Sequence, residues 1–292
     1  MILITTPAGD IGTRVLSHVL EAGEAVRVIL RDASKLDRNT RASVDVIEGS
    51  HADAVTISAA LDDVSAVFWL PPGPPTAESP EAAYVAFSRA FCDALPGSTV
   101  SHVVGVSALG RGWPSPAGHA AASVAMDDRI GATGVAYRSL ACASLMDNLA
   151  RQAEPIREQG VFYQPTPSDM KLPHVAKSDV ARVAAGLLSK RDWDGVADLP
   201  LCGPENLSFE EMALVMSEVL GREIAVHEIT PEDFGGMMRR MGATEKMAQG
   251  YVEMMTAKNE GMDTAACPTD RSATPTTFRT WCKTELRPLV QG

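Results

Sequence analysis

The residues Thr5-Thr6-Pro7-Ala8-Gly9-Asp10-Ile11-Gly12 are small and turn-forming, and they stand between a short apolar run and a helical repeat. A turn of that kind suits a pyrophosphate. A helix N-terminus carries about half a positive charge and several unbonded N–H groups. Only glycine or a very small residue lets the backbone come close enough to use them. Thr6, Ala8, Gly9, Asp10, Ile11 and Gly12 are therefore candidate cofactor-binding residues. The first glycine of the usual dinucleotide pattern is missing, and Thr6 or Pro7 stands in its place. At the end of the next apolar run come Arg31 and Asp32, with Lys35 one helical turn on. A carboxylate at that position accepts a bond from a ribose 2′-hydroxyl, whereas a guanidinium suits a 2′-phosphate. Arg31 and Lys35 favour NADPH, and Asp32 leaves NADH open.

Three more places carry candidate chemistry. Leu70, Pro71 and Pro72 end an apolar strand in a proline-rich loop that continues neither strand nor helix. Such a loop faces the ligand crevice in an open parallel sheet. Val106 and Ser107 close a later strand at the same height, where a hydroxyl can bond a substrate carbonyl or the nicotinamide ribose. His119 opens the following helix, and a histidine can donate a proton near neutral pH. Either His119 is an acid, or it packs at a helix start.

These residues need strands and helices in alternation to position them. Ile2-Leu3-Ile4 reads as a strand buried on both faces. Ile11, Val15, Leu16, Val19 and Leu20 form the apolar face of a helix that Gly23 ends, and Ala25 to Leu30 is the second strand. Further strands are expected at Val44–Gly49, Val64–Leu70, His102–Ser107 and Val135–Ala143, with helices at Ala54–Leu61, Pro80–Leu95 and His119–Ile130. A helix ending near Gln159 follows, then an amphipathic helix over Ala176–Leu188 and a strand at Leu199–Gly203. Ser208 and Glu211 make a capping box, Ile224–Ile229 a short strand, and Pro231 opens a further helix. The segment Phe234–Met262 holds Met237, Met238, Met241, Met247, Met254, Met255 and Met262, out of 13 methionines in the chain. It reads as two helices joined near Gly242-Ala243-Thr244. The methionines either pack the inside of a helical hairpin or line a lid over a flat hydrophobic ligand.

Composition narrows the function. A chain of 292 residues suffices for a large α/β core with a smaller lobe. The net charge of −11 argues against direct nucleic-acid binding, which needs a basic surface. No apolar run is long enough to span a membrane, and no export signal precedes the first strand, so a cytoplasmic protein is expected. The five cysteines are widely spaced, without a CxxC or a Cys/His cluster, so neither a metal site nor a disulfide framework is expected.

The TPAGDIG turn, the LRDASKL strand end and the WLPPG loop together resemble NmrA-like proteins, atypical members of the short-chain dehydrogenase/reductase superfamily. GVAYRSLACASLMDNL, LPHVAKSDVARVAAGLL, GPENLSFEEMALVMSEVLGREIAV and TPTTFRTW resemble later segments of the same family, so the likeness covers nearly the whole chain. One departure is Ala141-Cys142, where the family carries an Arg-Pro pair. The resemblance implies a Rossmann-type doubly wound parallel α/β sheet with a small, mostly helical C-terminal substrate lobe. The expected division is a dinucleotide-binding core over 1–150 and a lobe over 151–292, interleaved with the last core elements, with a Met-rich lid at about 231–262.

Typical reductases of the superfamily protonate their substrate through a Tyr-x-x-x-Lys pair on the helix after the fifth strand. No Tyr or Lys lies between Ser107 and Ile130 here, and His119 and Ser123 stand at the matching spacing. The expected function is an NADPH-dependent ketoreductase of a hydrophobic, polycyclic aromatic ketone or quinone, such as a polyketide tailoring enzyme, with Ser107 and His119 at the carbonyl. The alternative is a non-catalytic NADP(H) sensor, which alone would need a protein partner.

Overall fold

The computed structural model describes residues 1–291. In chain order the first elements are β1 (Ile2–Ile4), α1 (Asp10–Glu21), β2 (Val26–Leu30), α2 (Arg38–Ala42), β3 (Asp45–Glu48), α3 (Ala54–Ala60), β4 (Ala66–Trp69) and α4 (Arg89–Ala94). Then come β5 (His102–Ala108), α5 (Gly118–Gly131), β6 (Ala136–Cys142), β7 (Ser144–Leu145), α6 (Ala153–Gln159), β8 (Val161–Gln164), β9 (Leu172–Val175) and α7 (Lys177–Lys190). The chain finishes with β10 (Val196–Leu201), β11 (Asn206–Leu207), α8 (Phe209–Leu220), β12 (Ala225–Glu228), α9 (Pro231–Arg240), α10 (Glu245–Asn259), α11 (Met262–Ala266), α12 (Phe278–Trp281) and α13 (Arg287–Gln291).

The main sheet has seven strands in the order β10-β6-β5-β4-β1-β2-β3. β1 is fully buried and lies parallel to β2 on one side and β4 on the other, with Ile2 opposite Val26 and Ala66. The chain builds outward from β1 to β3, then crosses back to β4. That reversal opens a crevice at the C-terminal ends of β1 and β4, where nucleotides bind in such sheets. The Rossmann-type α/β fold implied by the resemblance is the fold observed.

The chain divides into two compact units. One consists of Met1–Ala108, Ala122–Ala141 and Val180–Leu199; the other of Leu109–Ala121, Cys142–Asp179 and the chain from Pro200 onward. In the first unit, Leu3, Ile29, Val67, Val103, Met126 and Ile130 belong to one apolar cluster, and Trp69 stacks on Phe91 at 4.0 Å. The expected helix Pro80–Leu95 is interrupted. A wide turn over Ala82–Ala86 precedes α4, where the buried Ser88 hydroxyl accepts from Trp69 Nε1 (3.0 Å) and donates to the Tyr84 carbonyl (2.8 Å).

In the second unit Phe162, Phe209, Met212, Phe278 and Trp281 share a separate core. It contains two small sheets, β11-β9-β7 and the parallel pair β12-β8, of whose strands only β12 is expected from the residue pattern, beside the expected helices. The capping boxes at Ser208 and Thr230 are both formed, and α9 and α10 make the methionine-rich hairpin.

The cysteines correct one expectation. Cys202 and Cys267 form a disulfide across 65 residues, with Cα atoms 6.1 Å apart; Cys92, Cys142 and Cys282 are buried and outside it. Pairing at that separation depends on how β10 and the segment after α11 come together, which spacing alone does not report. Among the described residues no group of three His, Cys, Asp or Glu side chains could hold a metal, and no helix is long and apolar enough to cross a membrane.

Candidate functional site

The turn after β1 is shaped by its own backbone. Gly9 N–H donates to Thr6 O (3.1 Å), Thr13 N–H to Gly9 O (2.8 Å), and the Thr13 hydroxyl to Pro7 O (2.8 Å). A Cβ on Gly12 would collide with the Thr6 carbonyl, so helix and turn can meet only at a glycine. Gly9 is the N-cap of α1 in extended conformation, and no side chain caps the helix. The Thr6 hydroxyl oxygen is buried with no hydrogen-bond partner. Ala8, Gly9 and Asp10 are exposed, whereas the Ile11 side chain packs in the core and can offer only its backbone N–H. An uncapped helix start beside an orphaned hydroxyl fits a pyrophosphate group.

At the end of β2, Arg31 and Lys35 are both exposed. Asp32 is engaged within its own loop. Its Oδ1 accepts from Ser34 N (3.0 Å) and Ser34 Oγ (2.7 Å), and these bonds hold its pKa below the ordinary value. The carboxylate caps the short turn Ala33–Lys35, which leaves Arg31 as the strand-end group suited to a 2′-phosphate.

The loop after β4 is pinned. The Thr5 hydroxyl donates to Phe68 O (3.0 Å) and accepts from Leu70 N (3.2 Å), so β1 and β4 are tied at their C-terminal ends. His51 is buried and sits edge-on to Trp69 and Phe87 (5.3 and 4.8 Å). Burial pushes its pKa down to about 4, so it is neutral. Leu70 is half-buried, Pro71 buried and Pro72 exposed.

Val106 is half-buried at the end of β5, and Ser107 is 8% exposed. Ser107 lies beside a carboxylate that residue spacing does not single out. Asp127, on the buried face of α5, accepts from the Tyr137 hydroxyl at Oδ1 and from Ser139 Oγ (2.8 Å) at Oδ2. Gly105 makes the room, because a Cβ there would collide with the Tyr137 hydroxyl. Burial raises Asp127 to about 6 against the opposing effect of the Ser107, Tyr137 and Ser139 hydroxyls, and the Asp198 charge raises it further. Burial and the Asp127 charge hold Tyr137 well above its ordinary value. Ser107 Oγ helps keep the carboxylate ionised, yet it is not aligned for a good hydrogen bond within the protein. The signal present in the sequence is an acid on an Ala-rich helix, followed by Tyr-x-Ser on the next strand.

His119 belongs to the second unit and Ser107 to the first. The His119 ring is buried against Tyr251 (centroids 4.0 Å apart), and its Nε2 lies 3.0 Å from the Met247 carbonyl, which assigns the proton to Nε2. Burial lowers its pKa. Gly118 has φ +47° and packs so closely on Gly250 that a Cβ would strike the Gly250 backbone. Of the seven clustered methionines only Met247 and Met262 are core. Met237, Met238, Met254 and Met255 are half-buried, and Met241 is exposed.

The chain is similar to known proteins. A family model described as NAD(P)H-binding matches residues 8–191. The NAD(P)H azoreductase of Xenophilus azovorans is 28% identical over 254 residues, covering 87% of this chain and 86% of its own. The NADPH-dependent quinone oxidoreductase QOR2 of Escherichia coli, solved with NADPH, has a TM-score of 0.80 at 20% identity and covers 98% of this chain and 99% of its own. The triphenylmethane reductase of Citrobacter sp., solved with NADP(H), has a TM-score of 0.79 at 19% identity, covering 99% of this chain and 100% of its own.

Proposed function

The chain belongs to the NAD(P)H-binding family, as its resemblance to NmrA-like proteins implied, and from that membership we propose that it is an NADPH-dependent reductase of a hydrophobic, conjugated acceptor. The acceptor class is a polycyclic aromatic ketone, a quinone or an azo compound. The observation that carries this reading is the glycine turn at Thr6–Gly12, uncapped and fitted to a pyrophosphate, in a chain whose α5 holds no tyrosine or lysine. Thr6, Ala8, Gly9 and Asp10, with the backbone of Ile11 and Gly12, would hold the pyrophosphate, and Arg31 and Lys35 the 2′-phosphate. Leu70, Pro71, Pro72 and Val106 would border the nucleotide.

Bound NADPH supplies a hydride. Acceptors whose electron pair is spread by conjugation tolerate the loss of the Tyr-x-x-x-Lys pair, because their anions are less demanding of an acid. The azoreductase and the quinone oxidoreductase, by name, act on acceptors of this sort. The half-buried Met237, Met238, Met254 and Met255 offer a polarisable surface to a flat apolar molecule, and Tyr251 of α10, with His119 of α5 packed on it, adds aromatic groups. The negative net charge supports a small molecule rather than nucleic acid as partner. A cytoplasmic location is part of the reading, since NADPH is available there.

The test is loss of NADPH absorbance with purified protein and a panel of quinones, polycyclic hydroxy-ketones and azo dyes. Acceptor-dependent oxidation is the expected result. Nucleotide binding by calorimetry without oxidation of any acceptor would replace the reductase by a non-catalytic NADP(H) sensor, a reading favoured by the missing Tyr-x-x-x-Lys pair.

A further inference from the structure

We propose that Asp127 stores the proton for this reduction and that Ser107 hands it to the acceptor, a role that rests on the reductase reading above. Three elements of the first unit converge on one carboxyl group. Gly105 and Ser107 share a face of β5, since side chains alternate along a strand. Tyr137 and Ser139 share a face of β6 in the same way. Asp127 reaches both strands from α5, taking the Tyr137 hydroxyl on one oxygen and the Ser139 hydroxyl on the other.

A buried carboxylate serving only to tie elements together is normally paired with a cation. This one is not built that way. The hydroxyls that bear on it are neutral: Ser107 from β5, Tyr137 and Ser139 from β6. The charge that acts on it is another carboxylate, Asp198 of β10. Such surroundings raise its affinity for a proton, so both forms are populated near neutrality. Tyr137 cannot fill that role, because burial and Asp127 keep its proton in place. The mobile proton of the cluster is therefore on Asp127. Ser107 is the hydroxyl left without an aligned partner, and it stands at the C-terminal end of β5, the edge of the sheet on which the glycine turn also opens.

The step balances as follows for an azo acceptor. Hydride addition to one nitrogen breaks the N=N π bond and leaves the electron pair on the other nitrogen. That nitrogen takes the proton of the Ser107 hydroxyl, forming N–H, and Ser107 Oγ takes the proton of the Asp127 carboxyl. Asp127 remains as a carboxylate held by the Tyr137 and Ser139 hydroxyls, and solvent restores its proton after the product leaves. A carbonyl acceptor follows the same course, with hydride on carbon and the proton on oxygen. Asp127 is thus a positioning and proton-storing residue that acts through Ser107.

Two acceptors separate this role from a structural one. Methyl red needs a proton with its hydride. Malachite green is a carbocation, and hydride alone converts it to the neutral leuco form. Single-turnover rates with saturating NADPH are to be measured for the wild type, Asp127→Asn, Asp127→Glu and Ser107→Ala, with NADPH binding followed separately by fluorescence. Asp127→Asn and Ser107→Ala should lower the methyl red rate relative to the malachite green rate by roughly tenfold or more, and Asp127→Glu should restore most of it. The wild-type methyl red rate should fall as pH rises through about 6, and the malachite green rate should not show that fall. Equal slowing with both acceptors, or no slowing with either, overturns the proposal. Infrared titration gives a readout independent of turnover: a buried carboxylic-acid C=O band should vanish as pH rises through about 6 and be missing from Asp127→Asn. Absence of that band in the wild type also overturns the proposal. If the wild type reduces neither dye nor any member of the quinone, hydroxy-ketone and azo panel, the reductase reading fails, and the infrared band alone decides whether Asp127 carries the proton.

Discussion

Tyr137 donates its phenolic hydrogen to Asp127 through the space that a side chain at Gly105 would fill. The bond joins β6 to α5 over a strand position that must be glycine, and it fixes a carboxyl group where water scarcely reaches. The consequence for stability has a definite sign. Asp127 binds its proton more tightly in the folded chain, at about 6, than at its ordinary 3.8. Its contribution is therefore fully present below about 4 and is lost as pH rises through about 6. The difference is on the order of 3 kcal/mol. Urea unfolding of wild type and Asp127→Asn between pH 4 and pH 7 should show the wild type losing ground to the variant as pH rises. A difference that stays constant across this range would mean that Asp127 is not shifted.

Gly12 and Gly9 should respond differently to alanine. The Gly12 Cβ would enter the Thr6 carbonyl, a backbone atom that cannot move without opening the turn, whereas the Gly9 Cβ would meet it at an ordinary 3.5 Å. Gly12→Ala should cost about 2 kcal/mol or more of stability and weaken NADPH binding. Gly9→Ala should leave the melting temperature nearly unchanged and affect the nucleotide alone. Thermal unfolding with and without NADPH separates the two, and equal melting temperatures for both variants would contradict the geometry.

Because Asp32 caps its own turn, Arg31 should carry the choice between cofactors. Arg31→Ala should raise the Kd for NADPH by roughly tenfold or more, the worth of one charged hydrogen bond to a phosphate, and leave NADH binding little changed. Calorimetric titration with both nucleotides measures this directly. Parallel weakening of both would move the 2′-phosphate contact elsewhere, with Lys35 the next residue to test.

What could be read in the chain was what is encoded locally. Ile11, Val15, Leu16 and Val19 lie on one buried face because a helix repeats every 3.6 residues, and Gly23, at φ +78°, ends that helix where the pattern stops. The strands of the main sheet were legible from their alternation with helices, whereas their spatial order is set by pairing. β8, β9 and β11 went unseen because none stands between helices in the alternating pattern, and their partners lie far away in sequence, as Leu172 does from Leu207. Ser107 was recognised from its place at a strand end. Asp127 was not, since its meaning depends on Tyr137 and Ser139 arriving from the neighbouring strand. His119 was read either as an acid or as a packed residue at a helix start, and the Met247 carbonyl and the Tyr251 ring that surround it come from a helix more than a hundred residues later.

The Cys202–Cys267 bond closes a long loop within the second unit, and the Thr274 hydroxyl donates to the Cys202 carbonyl beside it. A crosslink of this reach restrains the unfolded chain, so its removal should cost about 2–5 kcal/mol. Cys202→Ser should melt lower than wild type under oxidising conditions, and dithiothreitol should bring the wild type down to the same temperature. Thiol titration in denaturant provides the control, with five free thiols expected after reduction. A wild type indifferent to reductant would mean that the bond adds no stability.

The His119 ring packs on Tyr251 and bonds the Met247 carbonyl. His119→Phe keeps an aromatic ring against Tyr251 and removes the Nε2 bond to Met247, a change of about 1 kcal/mol. His119→Ala removes the ring and leaves a cavity, for about 2–4 kcal/mol. The pH dependence follows from the lowered pKa: the unfolded chain takes up a proton at the ordinary 6.5 while the buried imidazole resists it. Stability from His119 is therefore present above about 6.5 and is lost as pH falls below it. Both variants should flatten that acid limb. If the proton for reduction comes through Ser107, His119→Phe should keep the methyl red rate within about threefold of wild type. A loss of roughly a hundredfold, the size expected for removal of a general acid, would return the role to His119.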